Sequence, residues 1–240
     1  MPVPGSVHAA AQAVRARGAR WARGLAAFAL PQRCPGCGAP AGAALLCDAC
    51  FARIPRLSFG LCARCLAASR DGVGCLAHPG FEVRAAWVYD ERAAAIAHAL
   101  KFAERDGLAP ALAAELARVA PPGRIDAVIA LPLHPARRRE RGYNQAACLA
   151  AALAPCVAAP LLESALRRVR ATAPQTGLGA AQRRRNLRGA FQVLNPRALA
   201  GRRVLLVDDV ITTGATLEAA LAALADAGAR AAAVTLAWAQ

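Results

Sequence analysis

The sequence predicts an α/β fold, a mostly parallel sheet flanked by helices, preceded by a small cysteine-rich metal module. Three observations point there. From residue 83 onward, apolar strand-like runs alternate with helical patterns, the arrangement that places parallel strands between helices. Seven of the nine cysteines fall between Cys34 and Cys75 in paired C-x-x-C spacing, without a secretory signal, which favours metal over disulfides. The stretch RRVLLVDDVITTGATLEAAL, residues 202–221, carries an apolar run into two aspartates, a threonine–glycine turn and a helical pattern.

The 240 residues suffice for one α/β domain and a small module. The chain is 57% hydrophobic, which supports a core, although much of this is alanine and only 5% is aromatic. Net charge is +15, and of 30 basic residues one alone, Lys101, is lysine. The alanine and arginine excess has the character of a compositional bias, yet the arginines cluster, as HPARRRER at 134–141 and RRRNLR at 183–188. Guanidinium groups bind phosphate oxygens bidentately, so such clusters suit phosphate-rich ligands or nucleic acid. No apolar run approaches the ~20 residues of a membrane span, and a cytoplasmic location is expected. Residues 1–30 read as a basic leader helix. From Val7 to Leu30 the segment is arginine-rich and free of acids, a composition shared by transit peptides and by basic amphipathic helices that pack on their own protein.

Residues 31–80 read as a double zinc module. CPGC at 34–37 and CDAC at 47–50 are followed by CARC at 62–65 and CLAH at 75–78. Adding 28 maps Cys34, Cys37, Cys47 and Cys50 onto Cys62, Cys65, Cys75 and His78, so the module is an internal repeat. Each unit offers the four sulfur or nitrogen ligands of a closed, structural Zn²⁺ site; exchange of ligands between the units stays open. Gly36 and Gly38 fit the tight turns of the first knuckle. Cys148 and Cys156, in an alanine-rich helical stretch, read as buried small hydrophobes.

Residues 81–240 form the larger domain. A strand is expected at Val83 to Tyr89, then a helix over DERAAAIAHALKFAER capped by Asp90, and a second helix from about Ala109 to Val119. IDAVIALPLH, 125–134, reads as a buried strand ending in Pro132; the arginine run follows, then a helix over GYNQAACLAAALA. Residues 167–191 have no clean period and read as a long loop or ribbon, which in a compact domain is usually functional. The strand of the 202–221 stretch, a helix to about Ala227 stopped by Gly228, and a last strand complete the chain. Ligands of such sheets bind beyond the carboxyl ends of the strands, where 131–141 and 208–216 both fall.

The turn Thr212-Thr213-Gly214-Ala215-Thr216 opens a helix, whose free N–H groups and partial positive charge attract phosphate. Threonine hydroxyls add donors, and glycine lets the backbone close on an anion. Asp208 and Asp209 would repel a phosphate unless the same ligand also carries vicinal hydroxyls. A ribose 5-phosphate satisfies both, with its hydroxyls on the aspartates and its phosphate in the turn.

VLLVDDVITTGAT resembles the phosphoribosyl pyrophosphate signature of type I phosphoribosyltransferases. With LPLHPARRRERGYNQA, RRVRATAPQTGLGAAQRRRNLRGAF and the cysteine knuckles, nearly the whole chain from about Pro31 resembles the ComF family of competence-related proteins. The chain departs from the pattern in the second cysteine unit, where relatives carry a C-x-x-C whose first cysteine would fall at Gly72; either His78 compensates or the second site is lost.

The resemblance implies a type I phosphoribosyltransferase-like domain that binds phosphoribosyl pyrophosphate with Mg²⁺ and transfers ribose 5-phosphate to an acceptor. The strand-end loop Leu131-Pro132-Leu133 would present backbone N–H groups to the pyrophosphate, with Arg137, Arg138, Arg139 and Arg141 as candidates for added charge. Residues 167–191 would close over the substrate and exclude water, with Arg183 and Arg184 neutralising the leaving pyrophosphate. Lys101, the sole ammonium in a chain that otherwise uses arginine, reads either as part of this ligand-binding set or as a solvated helix residue. Tyr143, Asn144 and Gln145 either contact the acceptor or start their helix. The family's link to competence suggests an alternative, a non-catalytic factor binding a nucleotide or single-stranded DNA, and suggests proteins of DNA uptake as partners. The scarcity of aromatic platforms weighs against general strand binding. A third reading, a zinc-ribbon adaptor on a passive scaffold, leaves the Asp-Asp pair unexplained.

Overall fold

A computed structural model describes residues 33–41, 46–69, 75–102, 108–170 and 180–239. Residues 1–30, Gly72 and the middle of the ribbon, 171–179, lie outside the described residues, as do the side chains of Arg137, Arg141 and Arg183.

Among the described residues, α1 (Asp48–Arg53) belongs to the first cysteine unit; β1 (Gly60–Cys62) and β2 (Ala68–Ser69) belong to the second. The larger part follows as β3 (Glu82–Val88), α2 (Glu91–Phe102), α3 (Ala109–Val119), β4 (Ala127–Ala130), α4 (Pro135–Arg141) and α5 (Gln145–Cys156). Then come β5 (Leu166–Arg168), α6 (Ala180–Leu187), β6 (Phe191–Val193), α7 (Pro196–Leu199), β7 (Arg203–Ile211), α8 (Ala215–Asp226) and β8 (Arg230–Trp238).

One sheet runs in the order β2-β1-β3-β8-β7-β4. Strands β3, β8, β7 and β4 are mutually parallel, as the alternating pattern required, and β1 joins the β3 edge antiparallel. The second cysteine unit therefore continues the main sheet. Burial on both faces explains why Val204 to Val207 are all buried rather than alternating. One core packs the first cysteine unit, through Cys34, Cys50 and Ile54, with Trp87 and α2, α3 and α5. The other packs the second unit, through Leu61 and Ala63, with α8.

Local signals hold where they were strong. Asp90 Oδ1 accepts from the Ala93 amide at 2.8 Å and caps α2. Helix α3 spans Ala109–Val119 as expected, and Gly228, at φ 77°, follows α8. Four expectations are corrected. The arginine run is itself a helix, α4: His134 caps it, Pro135 begins it and Gly142, at φ 78°, ends it. Proline's fixed φ and missing N–H suit a first helical position, so the helix forms without an apolar stripe. The ribbon 167–191 contains structure at both ends, with β5 and β6 paired antiparallel and α6 preceding β6. The aspartates do not end their strand: β7 pairs with β8 as far as Ile211. Cys156 is exposed and Cys148 half-buried: Cys148 packs at the edge of the core that Leu149 and Leu153 fill, while Cys156 in the last turn of α5 meets solvent.

Candidate phosphoribosyl and metal sites

The four ligands of each cysteine unit converge as the repeat predicts. Cys34, Cys37, Cys47 and Cys50 form one cluster and Cys62, Cys65, Cys75 and His78 the other, with all ligand atoms of a cluster within 4.8 Å of one another. Ligands about 2.3 Å from a tetrahedral Zn²⁺ stand roughly 3.8 Å apart. The sulfurs of Cys37 and Cys47 are 3.5 Å apart and those of Cys65 and Cys75 3.7 Å apart. His78 Nδ1 lies 3.7 Å from the Cys62 sulfur and 3.6 Å from that of Cys75. Both clusters could therefore hold zinc, and His78 supplies the fourth ligand of the second. Burial opposes the Cys34 thiolate most, but the amides of Cys47, Gly36 and Cys37 and the Cys47 thiol outweigh it and bring Cys34 to about 7. Cys50, buried among the other thiols, is pushed up to about 12.

At the carboxyl ends of the parallel strands, β4 and β7 bring the second set of residues together. Ala130 pairs with Val207, and the Leu131 amide donates to the Val207 carbonyl at 2.8 Å. This holds Leu131, Pro132 and Leu133 beside Asp208 and Asp209. Asn144 caps α5 through the Ala146 amide at 3.1 Å and donates to the Leu131 carbonyl at 3.0 Å. The Tyr143 hydroxyl donates to the Leu100 carbonyl, and Gln145 is buried. Asn144 thus ties the start of α5 to the strand-end loop, and Tyr143 ties it to α2.

Burial first, then the charge of Asp209, raises the Asp208 carboxyl well above the usual carboxylate range; the Asp209 amide and Lys101 oppose the shift. Lys101, in the last turn of α2, places Nζ 2.8 Å from Oδ2 of the buried Asp209. The sole lysine thus meets the Asp pair from 108 residues away in sequence. The turn after β7 runs from exposed Thr212 through half-buried Thr213 to buried Gly214 and Ala215, with Thr216 half-buried. Gly214 caps α8 at φ 73° with no side-chain cap, so the first N–H groups of α8 have no capping side chain to satisfy them.

The arginines divide. Arg138 and Arg139 lie exposed on α4. Arg184 pairs with Glu218 at 2.9 Å, in a group that also includes Arg64 at 2.7 Å from the same carboxylate. A groove of about 640 Å³ lies alongside, lined by Arg64, Arg184, Arg188 and Phe191 and by the alanine face of α8. Its lining does not include Asp208, Asp209 or the 131–133 loop. Sequence reasoning missed Arg64 and Glu218, which carry no local signal; Asn144, singled out from the sequence, caps its helix.

A parallel sheet whose carboxyl-end loops bring an Asp pair and an open helix N-terminus beside the 131–133 loop defines a protein of the phosphoribosyltransferase class. The family description Phosphoribosyl transferase domain matches residues 146–240. Competence protein F of Haemophilus influenzae is 45% identical over 93 residues, 38% of this chain and 41% of that protein. DNA utilization protein YhgH of Salmonella typhimurium is 34% identical over 185 residues, 72% of this chain and 80% of that protein. The Escherichia coli K12 protein of the same name is 36% identical over 127 residues, half of this chain and 55% of that protein. The chain belongs to the ComF family of phosphoribosyltransferase-like proteins. No helix among the described residues is long and apolar enough to cross a membrane.

Proposed function

We propose that the protein binds phosphoribosyl pyrophosphate with Mg²⁺ and transfers its ribose 5-phosphate to an acceptor, in a role connected with the uptake or use of DNA. The observation that carries this reading is the meeting of Asp208 and Asp209 with the open N-terminus of α8 on one strand-to-helix turn. The aspartates accept from the ribose 2′ and 3′ hydroxyls. The amides at Ala215 and Thr216 and the threonine hydroxyls donate to the 5-phosphate. The 131–133 loop offers the Leu133 amide to the pyrophosphate, the Leu131 amide being spent on the Val207 carbonyl and Pro132 having none, with Arg137, Arg138 and Arg139 on the following helix and Arg183 and Arg184 on α6 as its counter-charges. Mg²⁺, when bound, neutralises the pyrophosphate and improves it as a leaving group, retaining part of its water shell. Positioning and charge stabilisation carry most of the rate in such a transfer, so no strong general base is required.

Lys101 holds the Asp209 charge in the ligand-free protein and is freed toward the pyrophosphate when the sugar hydroxyls take its place. The names of the relatives support a link to DNA. The charge of +15 supports electrostatic contact with nucleic acid as a second activity or, without turnover, as the main one. DNA affinity falling steeply with salt would reveal that contact without establishing specificity. The protein is placed in the cytoplasm, where phosphoribosyl pyrophosphate is made.

The test is calorimetric titration of phosphoribosyl pyrophosphate, with and without Mg²⁺, into the zinc-loaded protein and an Asp208→Asn/Asp209→Asn variant. Mg²⁺-dependent binding that the variant loses is the expected result, and pyrophosphate release in an acceptor screen then tests transfer. Absence of binding by the wild type refutes the reading.

A further inference from the structure

Ala63 lies inside the Cys62-x-x-Cys65 knuckle and is fully buried. Its carbonyl oxygen abuts the phosphate turn, so closely that a Cβ on Gly214 would stand 2.0 Å from it. The next residue, Arg64, lies over the Phe81 ring at 4.5 Å and places Nε 2.7 Å from Oε1 of Glu218, in the first turn of α8. The other oxygen of Glu218 accepts from Arg184 Nε at 2.9 Å, and Arg184 also donates to the Arg64 carbonyl. The knuckle, the phosphate turn and the helix that ends the 167–191 ribbon therefore meet on one mostly buried carboxylate.

We infer that the second cysteine unit is a wall of the ribose-phosphate site: its Ala63–Arg64 backbone holds the 212–216 turn in its anion-binding shape. The ligand's identity rests on the function proposed above; the mechanical link does not. The physical reason lies in the spacing of the ligands. Cys62 and Cys65 flank Ala63 and Arg64, so drawing both sulfurs to one Zn²⁺ fixes the two residues that touch the turn. The following residue, Leu66, has φ 58°, a conformation that a side-chain-bearing residue keeps only when its surroundings enforce it. Arg64 and Glu218 are positioning residues, and Gly214 is required twice, by its φ of 73° and by the carbonyl against it.

Coupling between two sites is reciprocal. If zinc in the second unit shapes the turn, a ligand in the turn must strengthen retention of that zinc. The experiment measures zinc affinity of the intact protein by equilibrium competition with a colorimetric chelator, with and without saturating Mg²⁺ and phosphoribosyl pyrophosphate. The wild type is expected to hold one of its two zinc ions about tenfold more tightly with ligand, a coupling of the usual size. Arg64→Ala should lose that protection and bind phosphoribosyl pyrophosphate about tenfold more weakly, with zinc content and melting temperature retained; Arg64→Lys should restore most of both.

Binding of phosphoribosyl pyrophosphate with both zinc affinities unchanged would overturn the inference, as would a second unit that takes up no zinc. Should the wild type not bind the ligand, the proposed function fails and amide exchange at 212–218 decides the link alone. Faster exchange there in Arg64→Ala and on zinc depletion, with the rest of the sheet protected, supports it. Unchanged exchange refutes it.

Discussion

Replacing Lys101 with methionine keeps the apolar stem and removes the ammonium that lies 2.8 Å from Asp209. The gross attraction at that distance is about 6 kcal/mol for an effective dielectric of ~20. Lys101 is 27% exposed, so water screens the pair and recovers much of this on its loss. Asp209, at 6% exposure, would keep a charge beside Asp208 with no cation against it. A net cost of about 2 kcal/mol is expected for losing a charged partner of this kind. For a domain of this size that corresponds to a fall of about 4–8 °C in Tm.

The assay is a double-mutant cycle by thermal and urea unfolding in zinc-containing buffer, with Lys101→Met, Asp209→Asn and the pair. In the Asp209→Asn background Lys101→Met should cost less than about 0.5 kcal/mol, leaving a coupling of about 1.5 kcal/mol. Equal costs in the two backgrounds would refute the argument that Lys101 balances the Asp pair.

Glu115→Gln should lower stability by about 1–2 kcal/mol, because this buried carboxylate accepts from Arg56 and Trp87, while the exposure of Arg56 and Arg118 limits the loss; unfolding midpoints in urea measure it. Burial works against Glu115 ionisation, but Arg56, Trp87 and Arg118 bring its carboxyl below the usual value. Its contribution is thus present above the ordinary glutamate range and lost as pH falls through the lowered folded value, and the Gln variant should show a flatter acid limb. Asp208 has the opposite sign. Its raised folded value gives stability present below the ordinary aspartate range and lost as pH rises through that value, so Asp208→Asn should flatten the loss on that side. Gly214→Ala should weaken phosphoribosyl pyrophosphate binding at least tenfold. Gly142→Ala, at similar φ but with nothing within 4 Å of the added Cβ, should cost only about 1–2 kcal/mol of stability, read from paired titrations and melts. Chelation of zinc should perturb tryptophan fluorescence, since Phe51 of the first unit packs edge-on to Trp87 at 6.1 Å.

The sequence by itself determined the parts whose information is local. Ligand spacing within each knuckle, the alternation of strands and helices, the caps at Asp90 and Gly228 and the Asp-Asp-to-threonine turn depend on residues a few positions apart, and all were legible. The helix in the arginine run was missed because its polar, solvent-facing residues carry no apolar period; His134, Pro135 and Gly142 were the signals that bounded it. Only the tertiary structure decided which distant residues share a site. Lys101 meets Asp209, the second cysteine unit extends the sheet at β3, and Arg64 reaches Glu218 across 154 positions. Such contacts follow from strand order and from the packing of two cores on opposite faces of one sheet. Neither periodicity nor spacing along the chain encodes them, since a parallel sheet brings together segments whose separation in sequence is set by intervening helices.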